Sequence, residues 1–255
     1  MPDFRARYEF KYIISETEAD YIRDVALCFT ERDPYGDNGN YKVNSLYFDD
    51  RDWTLAMQTV EGQRNRMKIR IRTYGFTDED PVFLEDKSRV GDSICKSRSL
   101  MSRDQVHAIC VGDPPPEGGF KAMKSSHQPD LERFRNILDF YDLRPRLWVG
   151  YEREAFGSPF GEGARLTFDR FLKIQTPPEE RPYEPDPNNW LRVPLDAPGT
   201  ILEMKFNGAF PFWMQRLAHE LELRRRSCSK YVQGAEFIGD VPWNRIEKGS
   251  AWTVY

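Results

Sequence analysis

Basic side chains recur at every second position in several stretches of this chain. Arg64, Arg66, Lys68, Arg70 and Arg72 alternate with Met67, Ile69 and Ile71. Successive side chains of an extended strand point to opposite faces, so the five cations share one face and the apolar residues the other. The same parity sorts Arg7, Glu9 and Lys11 from Tyr8, Phe10 and Tyr12, and Arg165, Thr167 and Asp169 from Leu166 and Phe168. It also sorts Glu203 and Lys205 from Leu202, Met204 and Phe206, and it pairs Glu85 with Lys87 and Tyr151 with Arg153. These charged faces hold eleven cations against four anions, whereas the whole chain has 37 basic and 41 acidic residues. Positive charge is therefore segregated. One arrangement that accommodates it is the wet side of an open antiparallel sheet, and the other is the interior of a closed one. A wet face ordinarily mixes signs, because like charges on neighbouring strands repel. The excess of cations implies an anion supplied from outside, and the planar fork of arginine suits phosphate oxygens.

The carboxylates on these faces follow a pattern of their own. Glu-x-Lys occurs at Glu9-Phe10-Lys11, Glu85-Asp86-Lys87 and Glu203-Met204-Lys205. If the strands close into a barrel, Glu9, Glu85 and Glu203 can offer hard oxygen ligands to Mg²⁺ or Mn²⁺, while the cations hold the phosphates that the metal bridges. The plainer role for each Glu is an ion pair with a neighbouring cation. His107, His127 and His219 are scattered and match no His-Glu-x-x-His pattern, which argues against zinc and against a Ser-His-Asp triad. No P-loop occurs, so nucleotide phosphates would have to be held by side chains.

The elements that must position these residues are mostly strands. Period-two alternation predicts them over residues 6–14, 41–48, 63–74, 81–88, 147–155, 164–174 and 200–206. Helices are predicted from the Ser15-to-Glu18 capping box to about Phe29, from Ser102 through Ile109, over 131–141, and from Pro211 through Leu223. Pro, Gly and Asn content marks loops at 31–40, 111–119, 124–129 and 176–199, the last with six prolines between Pro177 and Pro194. A loop of that length is often functional or mobile. The 255 residues and the lack of a dividing linker predict one α+β domain, an antiparallel β-barrel with helices packed outside, its core about 5–240. A net charge of −4 argues against generic nucleic-acid binding. Cys28, Cys95, Cys110 and Cys228 form no Cys-x-x-Cys pair. Together with an N-terminus lacking an apolar signal region and no apolar run of membrane-spanning length, they lead us to expect a cytoplasmic protein without a membrane segment.

At these residues the chain resembles the VTC domain, the catalytic domain of the vacuolar-transporter-chaperone polyphosphate polymerase, within the triphosphate tunnel metalloenzyme superfamily. The stretches that carry the resemblance are 7–12, 45–49, 68–75, 84–87, 151–156, 165–169, 201–205 and 229–231, in order along nearly the whole chain. The resemblance implies a tunnel-shaped barrel that transfers the ATP γ-phosphate to a growing polyphosphate chain with Mn²⁺ or Mg²⁺. Residue by residue, it implies that Lys11, Arg70, Arg72, Lys87, Arg153, Arg165 and Lys205 line the tunnel and act on phosphates. Tyr151, Lys68, Lys96 and Arg98 would also contact phosphate, Ser229 and Lys230 would close one end, and Glu203 would bind metal. Pyrophosphate and triphosphate are further expected ligands. Two other activities remain open: a tunnel triphosphatase acting on inorganic or nucleoside triphosphate, and a polyphosphate-binding module without turnover. The tunnel hydrolases open with Glu-x-Glu-x-Lys, and here Arg7 stands at the first Glu, which disfavours hydrolysis. Asp86 stands where relatives carry an apolar residue. The regulatory helical domain and membrane helices of the eukaryotic complex have no counterpart in the sequence. Repulsion along the stripe predicts that Arg70→Ala and Arg72→Ala cost activity with little loss of stability.

Overall fold

A computed structural model of the chain describes residues 7–91, 93–159, 163–195 and 199–239. All strands join one antiparallel sheet. Its main path runs β1 (Arg7–Ile14), β10 (Thr200–Asn207), β8 (Arg165–Gln175), β7 (Arg144–Gly157), β3 (Asn40–Asp49), β4 (Arg66–Thr73), β5 (Val82–Val90) and β6 (Ser93–Met101). Two short strands attach to it, β2 (Glu31–Arg32) on β7 and β9 (Leu191–Arg192) on β8. Every alternating stretch of the sequence is a strand. Arg64 lies before β4, so the longest basic stripe starts at Arg66.

The sheet curls into a half-barrel. Glu9 on β1 lies 3.9 Å from Lys87 on β5, although these strands sit near opposite ends of the path. Only strong curvature, built from the right-handed twist of each strand pair, brings them together. The seam between the sheet's ends is filled by the segment leading into α6 (Lys230–Ile238): Arg226 N–H donates to the Lys11 carbonyl at 2.9 Å, and Lys68 on β4 reaches Ser229.

Helices cover the convex face. α1 (Glu16–Ala26) starts at the expected capping box, with Ser15 accepting from the Glu18 N–H and Glu18 reaching back to the Ser15 N–H. With α5 (Phe212–Glu220) it packs on the apolar parities of β1, β8 and β10, through Ile22, Met214 and Leu217 against Phe168, Leu202 and Met204. α3 (Arg103–Val111) and α4 (Gln128–Tyr141) cover the other half, where Val106, Phe134 and Leu138 meet Phe48, Ile69, Ile71 and Leu84. The proline-rich 176–195 stretch joins this layer instead of standing free. Tyr183 is buried there, and the Pro182 carbonyl accepts from the Trp148 indole at 2.8 Å.

α6 is different, because it packs on the concave side. A bulge between β7 and β8, with Phe171 in the left-handed region at φ 55°, reverses parity along β8. Arg165, Thr167 and Asp169 face the interior before it, and Leu172 and Ile174 do so after it. Those two, with Leu147, Val149 and Val43, form an apolar floor on which Tyr231 and Ala235 of α6 lie. Gly234 permits the approach: a Cβ there would sit 2.7 Å from Ile174 and 3.0 Å from Leu147.

Asp86 is explained by this layering. It points away from Glu85 and Lys87 into the convex side, fully buried, and accepts from Ser88 at 3.1 Å, from Ser97, and from Arg133 of α4 at 2.9 Å. It therefore serves as a polar anchor for α4. Asp86→Ala should lower stability by about 2 kcal/mol or more, because it strands buried donors, and should leave anion binding by the folded protein unchanged. Thermal melts and a phosphate titration of the same sample check both halves.

Candidate functional site

The concave face gathers charge around two carboxylates. Glu203, buried on β10, is met by four cations, one from its own strand and three from elsewhere: Lys205 at 2.7 Å, Lys230 at 2.9 Å, Lys11 at 3.4 Å and Arg153 at 3.5 Å. Asp169 on β8, equally buried, takes both forks of Arg153 at 2.7 Å and Lys230 at 2.6 Å. Burial pushes the Glu203 carboxyl up, but Lys230, Lys11, Lys205 and Arg153 overcome it and hold the group ionised, well below the usual range. Further along the wall Glu85 is held by Arg70 at 2.7 Å, Arg98 at 3.2 Å and Arg72 at 3.7 Å. Burial again raises the Glu85 carboxyl, and Arg70, Arg72 and Arg98 outweigh it and bring it down to about 2.

Strand register sets a third group apart. Lys68 stands directly opposite Lys87 on β5, and Lys87 directly opposite Lys96 on β6. The adjacent row, Arg70, Glu85 and Arg98, alternates in sign, but this one is three ammonium groups side by side. Like charges directly opposite destabilise a sheet. Glu9 gives Lys87 a distant partner at 3.9 Å and is itself engaged by Lys11 at 3.3 Å. Among the described residues Lys68 has no carboxylate within ion-pair reach, and its contact is the Ser229 hydroxyl at 2.9 Å. Burial, then the charges of Lys11, Lys87 and Arg70, push the Lys68 amine well below its ordinary pKa. Burial likewise lowers Lys87, to about 8, with Glu9 offsetting part of the effect. The row is short of negative charge.

Other predicted residues fall into place around these centres. Arg165 is pinned by Asp33 at 2.7 Å and Tyr41 at 3.1 Å, and Arg72 donates to Ser45 at 3.3 Å. Tyr151 is buried beneath Arg153 and Lys230, whose charges lie 5.3 and 4.8 Å from its ring centre. Arg98 lies over Phe83 and Lys96 is exposed, so both stand at the rim. The expectation of free repulsion at Arg70 gives way to a different finding. Its guanidinium bridges Glu85 and the Tyr47 hydroxyl, at 2.8 and 3.0 Å, which makes it a member of a structural network.

Several residues of the site escaped sequence reasoning as partners. Asp169 is one, although its parity marks it. Asp49 and Tyr231 are others. Asp49 is buried and accepts from the N–H groups of Leu55 and Ala56, each at 2.9 Å, at the start of α2 (Thr54–Val60), and from the Tyr231 hydroxyl at 2.6 Å. Tyr231 in turn stacks on Tyr47, with centroids 4.4 Å apart. This clamp fixes α6, and with it Ser229 and Lys230, on the concave face.

For a metal, the donor chemistry divides the three glutamates. Glu203 and Glu9 share Lys11 and so bring hard oxygens to one place, the donor type Mg²⁺ or Mn²⁺ takes beside substrate phosphates, and a metal there would displace some of the lysines that now hold Glu203. Glu85 is surrounded by arginines, which keep their charge, and its environment suits it to holding them. Among the described residues no three His, Cys, Asp or Glu groups converge as a complete site.

Comparison with known proteins agrees with this geometry. The family model of the VTC domain matches residues 6–238. Subunit 4 of the vacuolar transporter chaperone complex of Schizosaccharomyces pombe is 26% identical over 231 residues, covering 77% of this chain and 32% of that protein. The subunit 4 of Trypanosoma brucei is 23% identical, over 52% of this chain and 19% of its own length. The chain thus spans about a third or less of these curated relatives. A crystal structure of an adenylate-cyclase candidate from Bacillus halodurans shares the fold, with a TM-score of 0.50 at 13% identity, covering 91% of this chain and 96% of that one.

Two outcomes test the site. Tyr231→Phe should cost about 1.5–3 kcal/mol, the worth of a hydrogen bond to a charged group, and should weaken tripolyphosphate binding severalfold while Tyr47→Phe, which keeps the Asp49 clamp, weakens it less. The second concerns pH. Burial holds the Lys87 amine down to about 8, so tripolyphosphate affinity should fall as pH rises through that value, and Lys87→Arg, which stays charged, should flatten the fall. Calorimetric titrations between pH 7 and 9 read this directly.

Proposed function

The chain belongs to the VTC domain family, and on that premise we propose that it is a polyphosphate polymerase that transfers the ATP γ-phosphate to a polyphosphate chain held on the basic concave face. The observation that carries the reading is the Lys68–Lys87–Lys96 row. Three adjacent lysines with scant carboxylate compensation are held fully charged most readily by an anion of closely spaced charges lying across them, and linear phosphate is such an anion.

Phosphoryl transfer asks a protein chiefly for positioning and charge stabilisation. A terminal oxygen of the acceptor chain attacks the γ-phosphorus, the bond from phosphorus to the β–γ bridging oxygen breaks, and ADP leaves with that oxygen. Arg153, Lys230, Lys11 and Lys205 are held by Glu203 and Asp169 at one part of the wall, and Arg70, Arg72 and Arg98 by Glu85 at another. Preorganised in this way, they can grip donor and acceptor phosphates in line and take up charge on the transferring group without rearranging. Arg165, anchored by Asp33 and Tyr41, extends the grip. Glu203 with Glu9 would hold Mg²⁺ or Mn²⁺, which when bound neutralises part of the phosphate charge.

A cytoplasmic location belongs to the same proposal and accords with four cysteines that are all free thiols. Among the described residues no helix is long and apolar enough to cross a membrane.

Incubation with ATP and Mn²⁺ or Mg²⁺, followed by gel analysis of the products, tests the proposal. Long phosphate chains are expected. Orthophosphate released from triphosphate without chain growth would make the protein a hydrolase, and tight binding without turnover would make it a binding module. Glu203→Gln should reduce chain synthesis by at least about tenfold, the equivalent of 1.4 kcal/mol in the barrier, read on folded protein below a melting temperature that the loss of a buried charge partner lowers. Undiminished synthesis in that variant would remove Glu203 from the machinery.

A further inference from the structure

Three consecutive arginines, Arg224, Arg225 and Arg226, lie on the extended segment between α5 and α6. The segment runs along the free edge of β1, tied by the Arg226 N–H to the Lys11 carbonyl, and the Arg225 guanidinium lies 3.2 Å over the Phe10 ring centre on the convex side. Within three residues it turns onto the concave face, where Ser229 accepts from Lys68 and Lys230 reaches Glu203 and Asp169. Ser229 is therefore the junction between the lysine row and the arginine segment.

The arginines stand out as a consecutive run without a carboxylate partner. Arg23, Arg153, Arg165 and Arg170 each hold a carboxylate within 3 Å. Arg224 and Arg225 are exposed, Arg226 is half-buried, and among the described residues no carboxylate lies within ion-pair distance of any of the three. In a chain with a net charge of −4, three adjacent guanidinium groups without a carboxylate partner, Arg225 being held by Phe10 and the Tyr12 hydroxyl, mark a local anion site. We propose that Arg224–Arg226 form an external rail for linear polyphosphate, continuous with the interior at Ser229, that holds the part of a long chain lying outside the concave face. The proposal rests on the polyphosphate reading above and adds a site for chains longer than the interior accommodates. At Arg225 phosphate fits better than a stacked base, because the guanidinium already covers the Phe10 ring.

Arg224→Gln with Arg226→Gln, which leaves Arg225 on Phe10, is the variant of choice, and the triple Gln variant is its companion. Each is titrated with inorganic tripolyphosphate and with linear polyphosphate of about 100 units, at two salt concentrations, the charge lost setting the expected change in salt slope. The double variant should bind the long chain at least about fivefold more weakly, with a shallower salt dependence, and bind tripolyphosphate as the wild type does. Unchanged long-chain affinity would overturn the rail. So would equal weakening of both ligands, which would place the arginines in the support of the interior. Single-stranded RNA that competes with the long chain on the wild type but not on the variant would reassign the rail to nucleic acid. A wild type that binds neither phosphate ligand would defeat the polyphosphate reading and the rail with it.

Discussion

Burying charge is costly unless each charge finds an opposite, and the interior of this half-barrel is organised around that constraint. Glu203 and Asp169 sit where water is scarce, and they are tolerable because Lys11, Lys205, Lys230 and Arg153 converge on them from β1, β10, α6 and β7. The pairing works in both directions. The cations hold the carboxylates ionised, and the carboxylates hold the cations charged and aimed at the hollow. The wall beyond repeats the arrangement with Glu85 and its three arginines. Where carboxylates run out, at Lys68, Lys87 and Lys96, the field is left for a ligand to complete.

The same constraint accounts for parts of the fold distant from the chemistry. α6 must carry Lys230 into a buried position, so it needs an apolar floor, a glycine at close approach and a clamp. The floor comes from the parity reversal at Phe171, the approach from Gly234, and the clamp from Asp49 through Tyr231. The seam segment closes the curl with a backbone bond to β1 and a side-chain bond to β4. The Arg226 bond also occupies one of the open backbone carbonyls on the β1 edge, an edge of the kind that can template aggregation.

Much of this was legible in the sequence, because period-two alternation reports both the strand and the side it presents. The charged parity of β4, β5, β8 and β10 reads directly onto the concave face. β6 escaped because its buried parity is serine at Ser97 and Ser99 and apolar only at its last residue, Met101, so hydropathy shows no apolar alternation, although Lys96 and Arg98 keep the inner spacing. α2 escaped because its N-cap is Trp53, at φ 59°, and its first N–H groups are capped from upstream by Asp49. In α6 a central glycine argues against a helix on local propensity, and only the approach to Ile174 explains it. Asp86 looked anomalous for the converse reason, since its partner Arg133 lies on a helix distant in sequence. In each case the missing information was tertiary: which residue lies across from which.

The central claim is that the lysine row and the two carboxylate-held clusters face one hollow that takes a chain of phosphates. A crystal structure of the protein soaked in inorganic tripolyphosphate tests it most directly. The account predicts phosphorus density on the concave face, with Lys68, Lys87 and Arg70 on one wall and Arg153 on the other. Density confined to the outer surface, or an unaltered interior at saturating ligand, would contradict it.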